Sequence, residues 1–176
     1  MSDRQEVVWE EHRFKISDLL SMNKDGKPIL LFKDSYLALI KNSVGANFWR
    51  NLYFRIDGRR QDILQDGELS CAFFVSGVLL TLGLMKEPHA TVRGALADMK
   101  IMGWQETDKL KLGGVLVWEE KNGHQHLGFF LGGQTAISNR SSLRKPGKHH
   151  LTFGIKKDGS PKRKIIKILW HEKIDE

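Results

Sequence analysis

The sequence predicts an α+β fold in which helices come first and an antiparallel sheet follows. Apolar residues recur with helical spacing as far as Trp104, and from Val115 onward they alternate as they do in strands. Residue pairs suited to hairpin turns separate the later segments, namely Asn122-Gly123, Gly132-Gly133 and Asp158-Gly159. This order of elements is typical of an α+β domain.

The helical part begins after a segment without a clear pattern. Residues 1–32 are interpreted as an N-terminal extension of unknown role, and residues 33–176 as one domain, because no linker or repeat divides them. Either Asp34 or Ser35 can cap a first helix, which is expected to run to about Asn42.

Two further helices are predicted before Trp104. Residues 68–82 are apolar on nearly every side, which indicates a helix buried on most of its surface. An amphipathic helix is expected from a Thr91 cap until Gly103 ends it. The later segments are predicted to be strands at 115–118, 126–131, 135–139, 151–155 and 164–170.

The composition describes a basic globular chain. Lys and Arg number 28 against 21 Asp and Glu, a net charge of +7, and 40% of the 176 residues are hydrophobic, which argues against disorder. Cys71 is the one cysteine, so an internal disulfide and a thiolate-rich zinc site are both excluded.

Neither a signal peptide nor a membrane span is expected. The first residues are charged, and the longest apolar run, residues 71–85, is shorter than the roughly 20 residues that cross a bilayer. The compartment stays open: the chain is either cytoplasmic or exported by a non-classical route.

Cys71 lies where the first turn of the most apolar helix is predicted. The free N–H groups and dipole of a helix N-terminus favour an anion, so the thiol is expected to be biased towards thiolate. The alternative is inert packing beside Phe73 and Phe74, because free cysteine is among the most buried residue types.

The hairpin around Gly132-Gly133 supplies partners for this thiol. A two-residue turn would place His126 directly opposite Asn139, close enough for a hydrogen bond between imidazole and amide. Cys71, His126 and Asn139 would then match a nucleophile, its base and an orienting group. If the turn differs by one residue, Asn139 moves to the other face and Ser138 becomes the orienting residue.

Residues 43–139 resemble an NlpC-type cysteine peptidase domain of the papain-like superfamily, which is related to the CHAP amidases. Cys71 followed by Phe74-Val75 is similar to the motif Asp-Cys-Ser-Gly-Phe-Val, and residues 110–117 are similar to Leu-x-Pro-Gly-Asp-Leu-Val. Residues 126–132 are similar to His-Val-Gly-Ile-Tyr-Leu-Gly, the strand that carries the general base, and Tyr53 resembles the tyrosine of a Pro-Tyr segment.

The resemblance implies a hydrolase that cleaves amide or peptide bonds through a thioester, without a cofactor. Cys71 would attack, His126 would protonate the leaving amine, and the Cys71 N–H and Tyr53 hydroxyl would hold the oxyanion. Peptide or peptidoglycan-like stem peptides are the implied substrates, and the orienting residue is expected to be His, Asn or Gln. Ser70 stands where the family has Asp, which alters the substrate pocket, and Ser138 is placed with Tyr53 and Ser70 among the oxyanion and substrate residues. Transfer of the acyl group to an acceptor other than water would use the same residues.

Two other interpretations compete with this one. The histidines 124, 126, 149 and 150 could bind a metal, but no carboxylate is placed beside them. Ten Lys and Arg residues between 140 and 167 could instead make the chain an inactive papain-like binding or regulatory module for anionic polymers. Few aromatics are interleaved with these charges, which argues against a nucleic-acid partner.

Overall fold

Helices precede a large antiparallel sheet in the computed structural model, which describes residues 29–176 and places residues 32–176 in one unit. Most of the predicted N-terminal extension therefore lies outside the described residues. The elements are α1 (Phe32–Asn42), β1 (Tyr53–Ile56), β2 (Arg59–Asp62), α2 (Cys71–Thr81), α3 (Val92–Ile101), β3 (Gln105–Thr107), β4 (Val115–Lys121), β5 (His124–Phe130), β6 (Thr135–Arg140), β7 (Lys145–His150), β8 (Ile165–Trp170) and a short 3-10 helix (Glu172–Asp175). The predicted α+β class is confirmed.

Six strands form the main sheet in the order β3-β8-β4-β5-β6-β7, and each neighbouring pair is antiparallel. Strands β1 and β2 form a separate hairpin with nearly all positions exposed. The prediction of a strand at residues 151–155 is wrong. The strand in this region is β7, which ends at His150, and the chain turns directly after it. Phe153 has a left-handed φ of 61°, and its N–H donates to the His150 carbonyl at 2.8 Å, as in a turn.

Helix α2 packs against one face of the sheet, as its nearly uniform apolar surface requires. Phe74 meets Phe129 of β5 edge to face, with ring centroids 5.6 Å apart. Side chains of the opposite face form a second apolar cluster from Leu116, Trp118, Phe130 and Ala136. Strand β5 is therefore buried on both faces, and its side chains divide between α2 and this second cluster.

Helix α3 begins as its sequence predicts. The Thr91 side chain accepts a hydrogen bond from the Gly94 N–H at 3.1 Å, which satisfies one of the free donors of the first turn. Within the described part of the chain, no helix has both the length and the apolar character needed to cross a membrane.

Candidate active site

The loop that leads into α2 is fixed by two carboxylates. Asp62 accepts hydrogen bonds from the backbone N–H groups of Leu52, Leu64 and Asp66 at 2.8 to 3.1 Å. Asp66 forms short ion pairs with Arg50 and Arg144, and the hydrogen bond from Arg50 is the largest of the effects that hold the pKa of this carboxyl well below its usual range. The residues just before Cys71 are thereby held to the rest of the domain.

Cys71 is the first residue of α2 and is half-buried. Ser70 occupies the N-cap position, but its side chain makes no capping bond and its buried Oγ has no partner among the described residues. The N–H groups of Cys71 and Ala72 instead point to the sulfur. This leaves helix N-terminal donors available at the thiol, where they could also bind an oxyanion.

Burial raises the pKa of the Cys71 thiol above its usual value of 9.0, opposed by N–H groups that include those of Leu127 and Ala72. This corrects the expectation that the helix N-terminus alone would favour the thiolate. The thiol of the free protein is protonated at neutral pH and needs a proton acceptor before it can act as a nucleophile.

Three polar side chains form a chain of hydrogen bonds on the face of the sheet opposite α2. His126 Nε2 lies 2.8 Å from Ser138 Oγ, and Ser138 Oγ lies 2.8 Å from His149 Nε2. Burial lowers the pKa of His126 to about 3 and that of His149 to about 4, so both imidazoles are neutral at pH 7. Trp118 and Phe153 pack around the two rings.

The register of the β5–β6 hairpin differs from the predicted one by a single residue. Gly128 pairs with Ser138 and Phe130 with Ala136, so Ser138 shares a face with His126. The turn contains three residues, because Leu131 donates to Thr135 and both Gly132 and Gly133 adopt positive φ.

Asn139 consequently lies on the α2 side of the sheet, where its Nδ2 donates to the Gly67 carbonyl at 2.7 Å. This corrects the predicted pairing of Asn139 with His126. Asn139 instead ties β6 to the loop before Cys71, and Ser138 is the residue that hydrogen-bonds to His126, as expected for a turn that differs by one residue.

The hydrogen bonds that join His126, Ser138 and His149 assign a tautomer to each imidazole. His149 Nδ1 lies 2.8 Å from the His150 carbonyl, which can only accept, so Nδ1 carries the proton of the neutral ring. His149 Nε2 must then accept from the Ser138 hydroxyl, and Ser138 Oγ accepts from His126 Nε2. His126 Nδ1 is left without a proton, and it is therefore a base.

We expect substitution of His149 to change the reactivity of Cys71 from a distance. In His149→Phe the ring can still stack on Phe153, which lies 4.1 Å away between centroids, but it no longer accepts from Ser138. The Ser138 hydroxyl would then donate to His126 and reverse its tautomer. The rate of Cys71 alkylation at neutral pH should fall by about tenfold, whereas His149→Gln, which keeps an acceptor, should retain most of it. Equal rates in the two variants would contradict the tautomer assignment.

Cys71 and His126 line the same cleft, which has a volume of about 980 Å³. The pairing of β5 with β6 ends at Gly128 and Ser138, and the N–H of the next β5 residue, Leu127, points to the Cys71 sulfur. The thiol thus lies against the backbone of β5 at the residue that follows His126. The expected hydrogen bond between the Cys71 sulfur and the His126 ring is not present among the described residues, because the ring lies on the face of the sheet opposite α2, where its Nε2 contacts Ser138.

Arg163 is a residue of this cleft that the sequence did not single out. Its guanidinium lines the cleft with Cys71 and His126, and its charge lowers the pKa of both. It was expected only as one of many basic residues near the C-terminus, because nothing in the sequence shows that the segment after β7 returns to the cleft.

Tyr53 and Ser70 have positions unlike those the resemblance implies. Tyr53 lies on the exposed β1–β2 hairpin with the Arg60 guanidinium over its ring at 3.6 Å, and it does not line the cleft. Ser70 is fully buried and also does not line the cleft. Within residues 29–176 no three His, Cys, Asp or Glu side chains are grouped so as to hold a metal ion.

The neutral, half-buried imidazoles of His126 and His149 predict a loss of stability in mild acid. Their folded pKa values lie below the usual 6.5, so the unfolded chain binds more protons between about pH 4 and pH 6.5. The free energy of unfolding is therefore expected to fall by at most about 4 kcal/mol from about pH 7 to about pH 5, as measured by urea denaturation. In His149→Phe this fall should be about half as large, and an unchanged fall would contradict the neutral state of His149.

A scan of the chain against protein-family models gives no match, and a search of curated proteins finds no similar sequence. A functional assignment for this cleft therefore depends on its geometry and on the chemistry of its side chains.

Proposed function

We propose that this chain is a cysteine-dependent amidase or peptidase with a papain-like arrangement of its active site. Cys71 is the nucleophile, His126 the general base, and Ser138 with His149 the orienting pair. The observation that carries the proposal is that Cys71, at the N-terminus of α2, and His126, whose Nε2 is held by Ser138, line the same cleft. In the proposed reaction Nδ1, the ring nitrogen that Ser138 leaves free, takes the thiol proton.

The reaction begins when the thiol proton passes to His126 Nδ1 and the sulfur attacks the carbonyl carbon of an amide. The N–H groups of Cys71 and Ala72 donate to the oxyanion, since the helix leaves them without acceptors. The imidazolium returns the proton to the amine as the C–N bond breaks, which leaves a thioester on Cys71. Water, deprotonated by His126, then hydrolyses the thioester and restores the thiol.

The neutral resting states of both side chains are compatible with this sequence. A protonated His126 could not accept the thiol proton, and burial keeps this imidazole neutral. Once the proton has moved, the thiolate and imidazolium attract each other in a largely desolvated site, which offsets part of the cost of burying the charges.

Acylation by p-nitrophenyl acetate tests the proposal without knowledge of the natural substrate. The wild-type protein should release p-nitrophenolate, carry an acetyl group on Cys71 that mass spectrometry detects, and turn over. Cys71→Ala should form no adduct, and His126→Ala should acylate about a hundredfold more slowly. Acetylation of Cys71 only in denatured protein would contradict the proposal.

The same experiment bears on the competing function, an inactive module that binds anionic polymers. Exposed lysines in the segment before β8, namely Lys156, Lys162 and Lys164, supply a basic surface for such a role. If the proposal is correct, stem peptides of peptidoglycan are the first natural substrates to assay, with Cys71→Ala as the control.

A further inference from the structure

Arg163 reaches the cleft from the segment between β7 and β8 and is fixed there by two backbone carbonyls. Its Nε donates to Glu119 O at 2.9 Å, and Nη2 donates to His124 O at 2.7 Å. Both acceptors belong to the β4–β5 hairpin that carries His126. The guanidinium is half-buried, and the Phe153 ring centroid lies 5.7 Å from its central carbon.

This guanidinium keeps donors that the domain does not use. A guanidinium has five N–H groups, and the two carbonyl contacts occupy one group each. The ion pairs between described residues leave Arg163 without a carboxylate partner within 4.0 Å. A partly desolvated cation with free donors beside a nucleophile is a suitable partner for an anion, which would restore the solvation that Arg163 has lost.

The cleft favours a carboxylate over a more highly charged anion. The fork of a guanidinium matches the two oxygens of a carboxylate. Glu68 and Glu120 also line the cleft and would repel a dianion more strongly than a monoanion. Arg163 and Cys71 line the same cleft, so one substrate can extend from the guanidinium to the thiol.

We propose that Arg163 is the carboxylate-binding residue of the active site, which takes substrates with a free carboxylate close to the amide carbonyl that Cys71 attacks. This inference deepens the proposed function and rests on it. A free α-carboxylate, or the side-chain carboxylate of an acidic residue, has the required chemistry. Neutral amides of the same size should be poorer substrates.

Alkylation of Cys71 by iodoacetate and by iodoacetamide tests this proposal, because the two reagents differ chiefly in a carboxylate against an amide. In each reaction the Cys71 sulfur bonds to the methylene carbon, iodide leaves and the thiol proton is released. The quantity measured is the ratio of the two rate constants at neutral pH. Any effect of Arg163 on thiol ionisation alters both rates equally and cancels in the ratio.

Arg163→Gln should lower the ratio of iodoacetate to iodoacetamide by about tenfold, equivalent to about 1.4 kcal/mol. The control is Arg93→Gln, which removes the same charge from an exposed arginine of the same cleft and should change the ratio much less. A ratio unchanged in Arg163→Gln, or lowered equally in both variants, would overturn the carboxylate site. Failure of the proposed function shows separately, as an iodoacetamide rate that His126→Ala leaves unchanged.

Discussion

Replacing His126 with alanine is expected to lower the rate at which iodoacetamide alkylates Cys71 at pH 7 by about a hundredfold. Burial keeps the thiol protonated, and in the proposed reaction its proton passes to His126 Nδ1, the ring nitrogen without a hydrogen bond to Ser138. Mass spectrometry of the Cys71 peptide against time gives the rate.

His124→Ala is the matched control for this experiment. His124 lies two residues earlier on β5 with an exposed side chain, and no hydrogen bond joins its ring to the described residues. We expect an almost unchanged alkylation rate for this variant. An equal loss in both variants would show that the reactivity of Cys71 depends on the hairpin as a whole and not on the imidazole.

Gly128→Ala is expected to destabilise the domain by about 3 kcal/mol. A Cβ at this position would lie about 2.4 Å from the Ile137 carbonyl oxygen and 2.7 Å from Ser138 Cβ, so the backbone of β6 must move. The same movement would withdraw Ser138 from His126. Urea denaturation measures the stability, and the rate of Cys71 alkylation reports the site.

Gly147→Ala provides the comparison within the same sheet. A Cβ there would meet only flexible side chains, with Arg140 Cδ at 3.1 Å and Leu143 Cδ1 at 3.3 Å. Gly147→Ala should therefore lower the free energy of unfolding by no more than about 1 kcal/mol. If the two variants are equally stable, close approach of β5 and β6 at Gly128 is not what positions Ser138.

The sequence predicted those parts of the fold that depend on local pattern. Helix α3 begins at its Thr91 cap, and the apolar run after Cys71 forms a buried helix, because capping and burial leave clear signals in composition. Strand β7 was missed, since it contains Pro146 and Gly147, which weaken the strand pattern.

The site was predictable only as far as strand register could be known. The turn after Leu131 has one residue more than its Gly132-Gly133 pair suggests. This extra residue shifts the register of β6, so that Ser138 and not Asn139 lies beside His126. The part played by His149 depends on β7, and the position of Arg163 depends on how the chain returns after β7. Contacts of this kind join residues far apart in sequence, and local patterns do not encode them.

The central claim is that Cys71 and His126 share one proton, and the pH dependence of Cys71 alkylation tests it most directly. The pair of thiolate and imidazolium holds as many protons as the neutral pair, so its population does not change with pH between the two pKa values. Because free thiolate adds a part of the rate that rises tenfold per pH unit, the wild-type iodoacetamide rate is expected to level off to a constant at the acidic end of the pH range, where the rate of His126→Ala still falls about tenfold per pH unit. A wild-type rate that climbs as steeply as that of the variant would contradict the claim.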